Sequence, residues 1–406
     1  MPRLILHAGD GKCGSTAIQA SLYDAREALA EQGILYHAPR RIGGHFVYSR
    51  LIGLTVRGDA ERAHTLARDN LAEVVEKAKA PGVRFVVLSA EFILCSTKPK
   101  SLQTLLAPLL SEIDGIDIVA YIRPPDKSYL AHSLQRAKAS HTIEEPATYV
   151  RDFASPLVAW PGAPLQARVH ARLYRREEFA DNSVVADLAG LLSEITGTEV
   201  TLPEVVANPS LTTEQTLAMA RLRRDVLPER NGLLLPISNN LVRFFEEANA
   251  ACGALGRKAQ LRPEAAAQVL NANWAHVALL EKKRPDLGFG RAFGLPEHPP
   301  ETDMAQRFGT FEGILEPGDA ALVDSLATLV PALNPALTKG EIDSAVLPKV
   351  PPGTRRGLLR AWIRYLRREG LEATVEAVRE RYLSPAPSPA RPSASPVASS
   401  DAPSAQ

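Results

Sequence analysis

The chain has 406 residues, and its 47 basic and 46 acidic residues nearly cancel, leaving a formal net charge of +1. This balance argues against nucleic-acid or membrane-surface binding through overall charge, so any basic site must be local. Three widely spaced cysteines, Cys13, Cys95 and Cys252, match neither a zinc pattern nor a disulfide framework. The start, MPRLILHAGDG, has too few apolar residues for a signal peptide, and no apolar run reaches membrane-spanning length. We therefore expect a soluble, cytoplasmic protein.

The first half of the chain predicts strands that alternate with helices. Apolar runs of strand length occur at 4–7, 83–91, 116–123 and 167–174. Helical patterns cover 15–33, 60–79 and 183–197. This alternation favours an α/β fold with a central parallel sheet and helices on both faces. Ligands of such sheets bind beyond the carboxyl ends of the strands, so the 9–16 loop, residues 89–91 and Arg123 should share one rim.

Beyond about residue 212 the strand patterns fade and helical patterns dominate, at 213–225, 237–255, 263–283, 319–331 and 355–381. Residues 384–406 are almost entirely Pro, Ala and Ser, a composition that cannot bury a core and predicts a disordered tail. We expect an α/β domain over 1–220, a mostly helical C-terminal region over 221–383, and the tail. The helical region is the candidate cap, substrate or homo-oligomerisation subdomain.

The segment RLILHAGDGKCGSTAIQASL, residues 3–22, leads from an apolar strand through a loop of small residues into a helix. Backbone N–H groups at a helix start attract an anion, Gly14 allows close approach, and Ser15 and Thr16 add hydroxyl donors. The Walker A pattern fails, because Leu6 stands at the place of its first glycine and Cys13 follows the lysine instead of a magnesium-binding hydroxyl. The loop therefore predicts a phosphate-like ligand without a magnesium-holding residue.

The stretch HAGDGKCGSTAIQASL resembles the 5′-phosphosulfate loop of sulfotransferases that use 3′-phosphoadenosine-5′-phosphosulfate (PAPS). In that loop a lysine, a threonine or serine, a glycine and two hydroxyl residues follow the first strand. Cys13 stands where the family has threonine or serine. The resemblance implies a P-loop-like three-layer sandwich, whereas the helical C-terminal extension is predicted from the helical patterns alone.

A second stretch, IRPPDKSYLAHSLQRAK at 122–138, is similar to the 3′-phosphate motif of the same family. Arg123 matches the arginine at the strand end, and Gln135 matches a glutamine of bacterial members. The family's serine would fall on Ala131, so Ser128 and Ser133 both remain candidates for the 3′-phosphate contact.

Weaker matches extend the resemblance to about residues 3–220. Residues 171–192 resemble the last strand and its helix in bacterial carbohydrate-type sulfotransferases, and 207–215 resembles their Asn-x-Ser-Leu segment. The second match makes Asn208 and Ser210 candidate nucleotide contacts. The alternative is that both residues cap the helix that begins near Thr213.

The resemblance implies transfer of a sulfuryl group from PAPS to a hydroxyl of a carbohydrate or glycolipid, with no metal. Lys12 would stabilise the departing phosphate, and Gly14, Ser15 and Thr16 would hold the 5′-phosphate. Arg123 would bind the 3′-phosphate as a fork of donors. Positioning and electrostatics would supply most of the catalysis.

Three residues are candidates for the base that accepts the acceptor's proton. Glu91 follows the second predicted strand, and His45 lies in a glycine-containing loop; both are chemically able. We favour His45 as the base, with Glu91 as its partner or as a substrate ligand. His132, on the helix after Arg123, is the third candidate, and loops such as 37–58 are expected to choose the acceptor.

Two alternatives remain open from the sequence. The departures at Cys13 and Ala131 are also compatible with a non-catalytic protein that binds 3′-phosphoadenosine-5′-phosphate (PAP) or a glycan. A nucleotide-dependent kinase shares the anion loop, although the missing Walker A pattern weighs against it.

Overall fold

The computed structural model of the protein describes residues 1–54, 60–205, 210–252 and 255–332, together with Arg364 and Arg367. Asn208, the predicted tail and, apart from those two arginines, the helix predicted over 355–381 lie outside these residues. The strands are β1 Arg3–Ala8, β2 Ile34–Leu35, β3 Phe85–Ala90, β4 Ile116–Ile122 and β5 Arg168–Leu173.

Helices follow most of the strands. Those of the first part are α1 Ser15–Asp24, α2 Arg26–Glu31, α3 Ala60–Ala78, α4 Ile93–Ser96, α5 Pro99–Leu110, α6 Pro125–Ala137, α7 Ala154–Ala159 and α8 Val184–Thr196. Those of the second part are α9 Thr213–Asp225, α10 Pro236–Cys252, α11 Pro263–Ala272, α12 Trp274–Lys283, α13 Phe289–Phe293, α14 Phe311–Ile314 and α15 Ala320–Ala332. The helix predicted over 15–33 is two helices that meet at Ala25, and the two-residue strand β2 is too short to leave a periodic signal.

The five strands form one parallel sheet in the order β2-β3-β1-β4-β5. The α/β class and the parallel sheet predicted from the alternation are therefore confirmed. From β1 the chain runs to β2 and β3 on one side, then crosses to β4 and β5 on the other. The connections that leave β1 and β4 diverge, and such a point opens a crevice at the carboxyl ends of the two strands.

Apolar helix faces cover both sides of the sheet. On one side α1 and α8 pack against β1 and β4, so that Ile18 and Leu188 join Ile5 and Val119 in one buried cluster. On the other side α3, α5 and α7 cover Leu4, Leu6 and their neighbours. Burial of this kind contributes about 25 cal/mol for each Å² of apolar surface removed from water.

The helical second part contributes to one core of the sheet and also forms, together with α6, a buried cluster that includes Leu217, Val269, Phe311 and Ile314. Val277, Leu280 and Phe289 belong to the same buried cluster as α3, α5 and α7. Helix α9 packs against α6 and α15, and it runs through residue 220, so the boundary expected there falls inside a helix.

No further strand of the sheet follows residue 212 in the part of the chain that the structure describes, as the fading strand pattern predicts. Two isolated antiparallel bridges, Thr212 with Lys258 and Leu261 with Leu315, tie the helical segments together there. None of the helices in the described ranges is both long enough and apolar enough to cross a membrane.

Candidate functional site

The loop between β1 and α1 has an unusual backbone. Lys12 (φ +68°) and Gly14 (φ +79°) are both in the left-handed region, which suits glycine but costs a lysine about 1–3 kcal/mol. Gly14 is the N-cap of α1, and no side chain caps this helix. The first N–H groups of α1 therefore lack the usual side-chain acceptor, and the helix dipole favours an anion at this position.

Cys13, the departure from the family pattern, is part of the core. Its side chain is fully buried in the cluster under α1 and α8, and burial raises the pKa of the thiol. The residue between Lys12 and Gly14 is therefore packed among apolar side chains of this cluster.

Lys12 lies in a partly desolvated, cationic environment. Its Nζ donates a hydrogen bond of 3.1 Å to Gln135 Oε1 on α6. Burial lowers the pKa of Lys12, and the charges of Lys138 and Arg123 lower it further, whereas Glu91 opposes them. The structure thus brings together the lysine, arginine and glutamine of the two motifs, which lie more than 100 residues apart.

Arg123 follows β4 directly, on the same rim. Its guanidinium carbon lies 4.7 Å from the ring centroid of Tyr174, which follows β5. The Tyr174 hydroxyl in turn accepts a 3.0 Å hydrogen bond from Arg176 Nε. In the described part of the chain Arg123 forms no ion pair with a carboxylate, so its fork of donors is oriented by an aromatic face and remains able to bind an anion.

Ser15 and Thr16 begin α1. The Ser15 hydroxyl is buried without a hydrogen bond of ordinary geometry, although the Glu91 carboxyl is close enough to interact with it, while Thr16 is exposed. Burial raises the pKa of Glu91, and the charge of Lys12 opposes the rise. Glu91 thus lies on the rim beside the loop, where the sequence analysis expected it.

His45, the base favoured from the sequence, has a different environment. Its Nδ1 accepts a 3.1 Å hydrogen bond from the Ser89 N–H, and its Nε2 lies 3.2 Å from the His37 carbonyl oxygen. The ring is buried against Tyr36 and Tyr48, and burial lowers its pKa to about 4. Both ring nitrogens are used by the backbone, so His45 fastens its loop to β3 and offers no free nitrogen to a substrate.

His132, the third candidate, has one free nitrogen. Its Nδ1 lies 2.9 Å from the Ser128 carbonyl oxygen and 3.0 Å from the Tyr149 hydroxyl. Because a carbonyl only accepts, Nδ1 carries the proton and Nε2 keeps its lone pair. Nε2 faces the loop between β1 and α1, because a Cβ atom built on Gly11 would lie 2.5 Å from Nε2. Burial lowers the pKa of His132, and the neighbouring Arg151 lowers it further.

The serines proposed for the 3′-phosphate have other partners. The Ser128 hydroxyl lies 3.2 Å from the Tyr149 hydroxyl, and Ser133 interacts with Tyr129. Ser210 is exposed, and the cap of α9 is Thr212, which forms a reciprocal capping box with Gln215. The alternative that Ser210 caps this helix is therefore wrong, because Thr212 is the cap.

One part of the site could not be found from sequence. Asp10 Oδ1 accepts hydrogen bonds from the Gly11 N–H (2.8 Å) and from Arg151, with the Cys95 thiol at 3.4 Å. The pair formed by Asp10 and Arg151 fastens the loop to a segment 141 residues away. Asp10 could have been noticed as an acid inside a glycine loop, but nothing in the sequence around Arg151 marks it.

A cavity of about 450 Å³ lies beside the anion loop, between α6 and the helical part. Its wall comes from α6, from the segment around Tyr149 and from the loop after α9: Tyr129, His132, Ser133, Gln135, Arg136, Ala139, Ser140, Glu144, Tyr149, Arg151, Gly232 and Leu234. We call it the α6 cavity. Its volume lies in the range of small-molecule sites.

No family model, curated protein or solved structure matches the chain. Nor does the described part of the chain contain three or more His, Cys, Asp or Glu side chains grouped so that they could hold a metal ion. The assignment of function therefore depends on the geometry and charge of the site itself.

Proposed function

We propose that the protein is a sulfotransferase of P-loop-like fold that transfers the sulfuryl group of PAPS to an acceptor hydroxyl. The observation that carries this proposal is the placement of Lys12 and Arg123 at the carboxyl ends of the neighbouring strands β1 and β4. Within the described residues neither cation forms an ion pair with a carboxylate. Two such cations beside an uncapped helix start favour a ligand with two separate anionic groups.

PAPS has this distribution of charge, with a phosphosulfate at the 5′ position and a phosphate at the 3′ position of its ribose. The loop of Lys12, Gly14 and Ser15 suits the 5′ group, since it offers a cation, uncapped amides and a buried hydroxyl beside the Glu91 carboxyl. Arg123 suits the 3′ group, and its stacking on Tyr174 holds the guanidinium in one orientation. Asn208 and Ser210 remain candidate nucleotide contacts.

The reaction forms one bond and breaks another. The acceptor oxygen bonds to sulfur while the bond from sulfur to the bridging oxygen of the 5′-phosphate breaks, and PAP leaves with the electron pair. Lys12, in its desolvated position, stabilises the negative charge that grows on that oxygen. The acceptor's proton passes to a base on the protein.

His132 fits the role of base better than the other two candidates. Its Nε2 keeps a lone pair on the loop side, and its lowered pKa keeps the ring neutral at pH 7. His45 has both ring nitrogens bonded to the backbone. Glu91 is attracted to Lys12, which suits a residue that orients the lysine or binds the substrate.

The direct test compares two ligands that differ by one phosphate. PAP and AMP share the 5′-phosphate, and only PAP has the 3′-phosphate, so calorimetric titration of both isolates the Arg123 site. Charge-assisted hydrogen bonds to the extra phosphate should make PAP bind about 10- to 100-fold more tightly. Equal affinities would rule out the proposed donor.

A second candidate is a protein that binds PAP without turnover. The Ser128 and Ser133 hydroxyls interact with tyrosines, so neither serine has a free hydroxyl for the 3′-phosphate. This observation favours the non-catalytic candidate. Transfer of radioactive sulfate from labelled PAPS to any acceptor separates the two proposals. A titration with ATP and magnesium tests the kinase alternative, which requires ATP to bind more tightly than PAP.

A further inference from the structure

Three residues of the α6 cavity wall contact the loop between β1 and α1. Gln135 bonds to Lys12, His132 faces Gly11, and Arg151 pairs with Asp10, so each of three wall residues reaches one of the consecutive residues 10–12. A molecule in the cavity is therefore separated from Lys12 by the Gln135 side chain, which contacts both. His132 lines the cavity as well and also contacts the loop, so it connects the two.

Hydrogen bonds at the end of α6 hold one wall of the cavity, the loop after α9, in place. The Gly232 N–H donates to the Ala139 carbonyl oxygen (2.9 Å), and Asn231 Oδ1 accepts from the His141 N–H (3.0 Å). From α9 the fully buried Arg223 donates to the Lys138 carbonyl oxygen at 2.6 Å. The loop that carries Leu234 is thus fixed against α6 at several points.

Charges on the cavity wall compensate one another. Arg151 is paired with Asp10, and the other two ionised side chains of the wall, Arg136 and Glu144, have opposite formal charges. The remaining polar wall comes from hydroxyl and amide groups and from two tyrosines, Tyr129 and Tyr149, whose rings pack edge to face at 5.0 Å. A wall whose formal charges cancel suits an uncharged hydroxyl compound better than an anionic one.

Apolar side chains are exposed at the edge of the same cavity. Leu234, a wall residue, is 44% exposed, and its neighbour Leu233 is 51% exposed. Val150, between the wall residues Tyr149 and Arg151, is 56% exposed. Single exposed apolar residues are common, but these flank wall residues on two segments that meet at one cavity.

We propose that the α6 cavity is the acceptor site and that the acceptor is an uncharged, hydroxyl-bearing amphiphile. Its polar part lies in the cavity with a hydroxyl at His132, and its apolar chain lies over Leu233, Leu234 and Val150. This proposal rests on the sulfotransferase function, because it identifies the cavity by its contacts with Lys12. It places acceptor selection at the helical part and not in the 37–58 loop.

The test uses three probes without any donor present. Hexyl β-D-glucopyranoside has the proposed features, methyl β-D-glucopyranoside lacks the chain, and hexyl β-D-glucuronide adds a negative charge. Each methylene that leaves water tightens binding by about a factor of four, so a partly buried hexyl chain should add at least about tenfold over methyl. The glucuronide should bind at least about tenfold more weakly than the glucoside, because a buried unpaired charge is unfavourable.

Two variants locate the bound probe. Leu234→Asp should remove the advantage of hexyl over methyl, whereas Ile42→Asp, at a similarly exposed side chain in the 37–58 loop, should preserve it. Both side chains are on the surface, and unchanged circular dichroism and unfolding temperature establish that each variant is folded. The reverse pattern, with the effect at Ile42, would overturn the proposal.

The two proposals fail separately in this design. If PAP binds with the expected preference over AMP while the hexyl glucoside does not bind, the acceptor proposal is wrong and the donor site stands. If the glucoside binds with the expected preferences while PAP does not bind, the cavity is an amphiphile site without the proposed reaction. Equal binding of all three probes would also overturn the acceptor proposal.

Discussion

The two sides of the loop between β1 and α1 differ in how their charges are compensated. On the side of Arg123, neither Lys12 nor Arg123 forms an ion pair within the described residues, and the partly buried carboxylate Glu91 acts on Lys12. On the side of the α6 cavity, Arg151 is paired with Asp10. Excess positive charge suits a ligand that brings its own negative charge, while compensated charge suits a neutral one. The contrast explains how one loop could distinguish an anionic donor from an uncharged acceptor.

The largest effect is expected from Lys12→Ala. Loss of the lysine that we propose to stabilise the leaving group should lower sulfuryl transfer from PAPS by about 10³-fold, in line with the removal of a preorganised charge. Transfer is measured with radioactive donor, and PAP binding is measured in parallel to confirm that the site is intact. Lys127→Ala, at a lysine largely exposed on α6, is the control. Full activity of the Lys12 variant would exclude its role on the donor side.

His132→Asn tests the cavity side and should lower turnover about 10²-fold with little change in PAP affinity. A base acts only when it is unprotonated. Since the pKa of His132 is lowered, wild-type activity should persist below pH 6.5, the ordinary value, and fall only as pH drops through the lowered pKa. The pH profile of kcat/KM measures this fall in activity at acid pH, the acidic limb of the profile. The acidic limb should be absent from the profile of His132→Asn.

The same profile discriminates among the three candidate bases. Glu91→Gln should retain the acidic limb that His132→Asn removes, whatever its effect on turnover. If the limb instead disappears in Glu91→Gln and survives in His132→Asn, the base is Glu91.

Arg123→Met should change affinity for one ligand only. The variant keeps an apolar stem against Tyr174 but loses the guanidinium, so PAP binding should weaken by about 30-fold while AMP binding stays within about twofold. Arg176→Met is the matched control, because Arg176 also contacts Tyr174 but is exposed. An equal loss for PAP and AMP would place Arg123 at the 5′ group and remove the basis for a two-phosphate ligand.

Lys12 and Arg123 could be predicted from the sequence because each belongs to a local pattern. A strand, a loop of small residues and a helix identify Lys12, and an arginine directly after a strand identifies Arg123; the parallel sheet then brings the two together. The burial of the Cys13 side chain could not be predicted, since it depends on the packing of α8 over α1.

The residues at the α6 cavity could not be predicted from the sequence in the same way. The sequence favours His45 as the base and gives His132 only as the third candidate, and their hydrogen bonds reverse this order. Arg151 reaches Asp10 across 141 positions, and Leu234 reaches the cavity through a loop with no periodic pattern. Contacts of this kind arise from tertiary packing and leave no mark in the spacing of residues.

The smallest expected effect concerns stability and tests the structural role of His45. Burial lowers the pKa of His45 to about 4, against an ordinary value of 6.5. Between these values the unfolded chain binds a proton that the folded protein does not, so the stability that His45 contributes is complete above pH 6.5 and is lost as pH falls toward 4. From pH 6.5 to 5.5 the loss is about 1 kcal/mol for this residue.

His45→Asn should therefore unfold more easily at pH 7.5 and show a pH dependence that is shallower by about 1 kcal/mol over the same interval. Guanidinium titrations at pH 6.5 and 5.5 measure both quantities, and His298→Asn, at an exposed histidine, should leave the slope unchanged. Because His7 is also buried with a pKa of about 4, the variant should keep part of the wild-type slope. An unchanged slope in His45→Asn would mean that its ring is protonated or solvated in the folded protein, and His45 would then return as a candidate base.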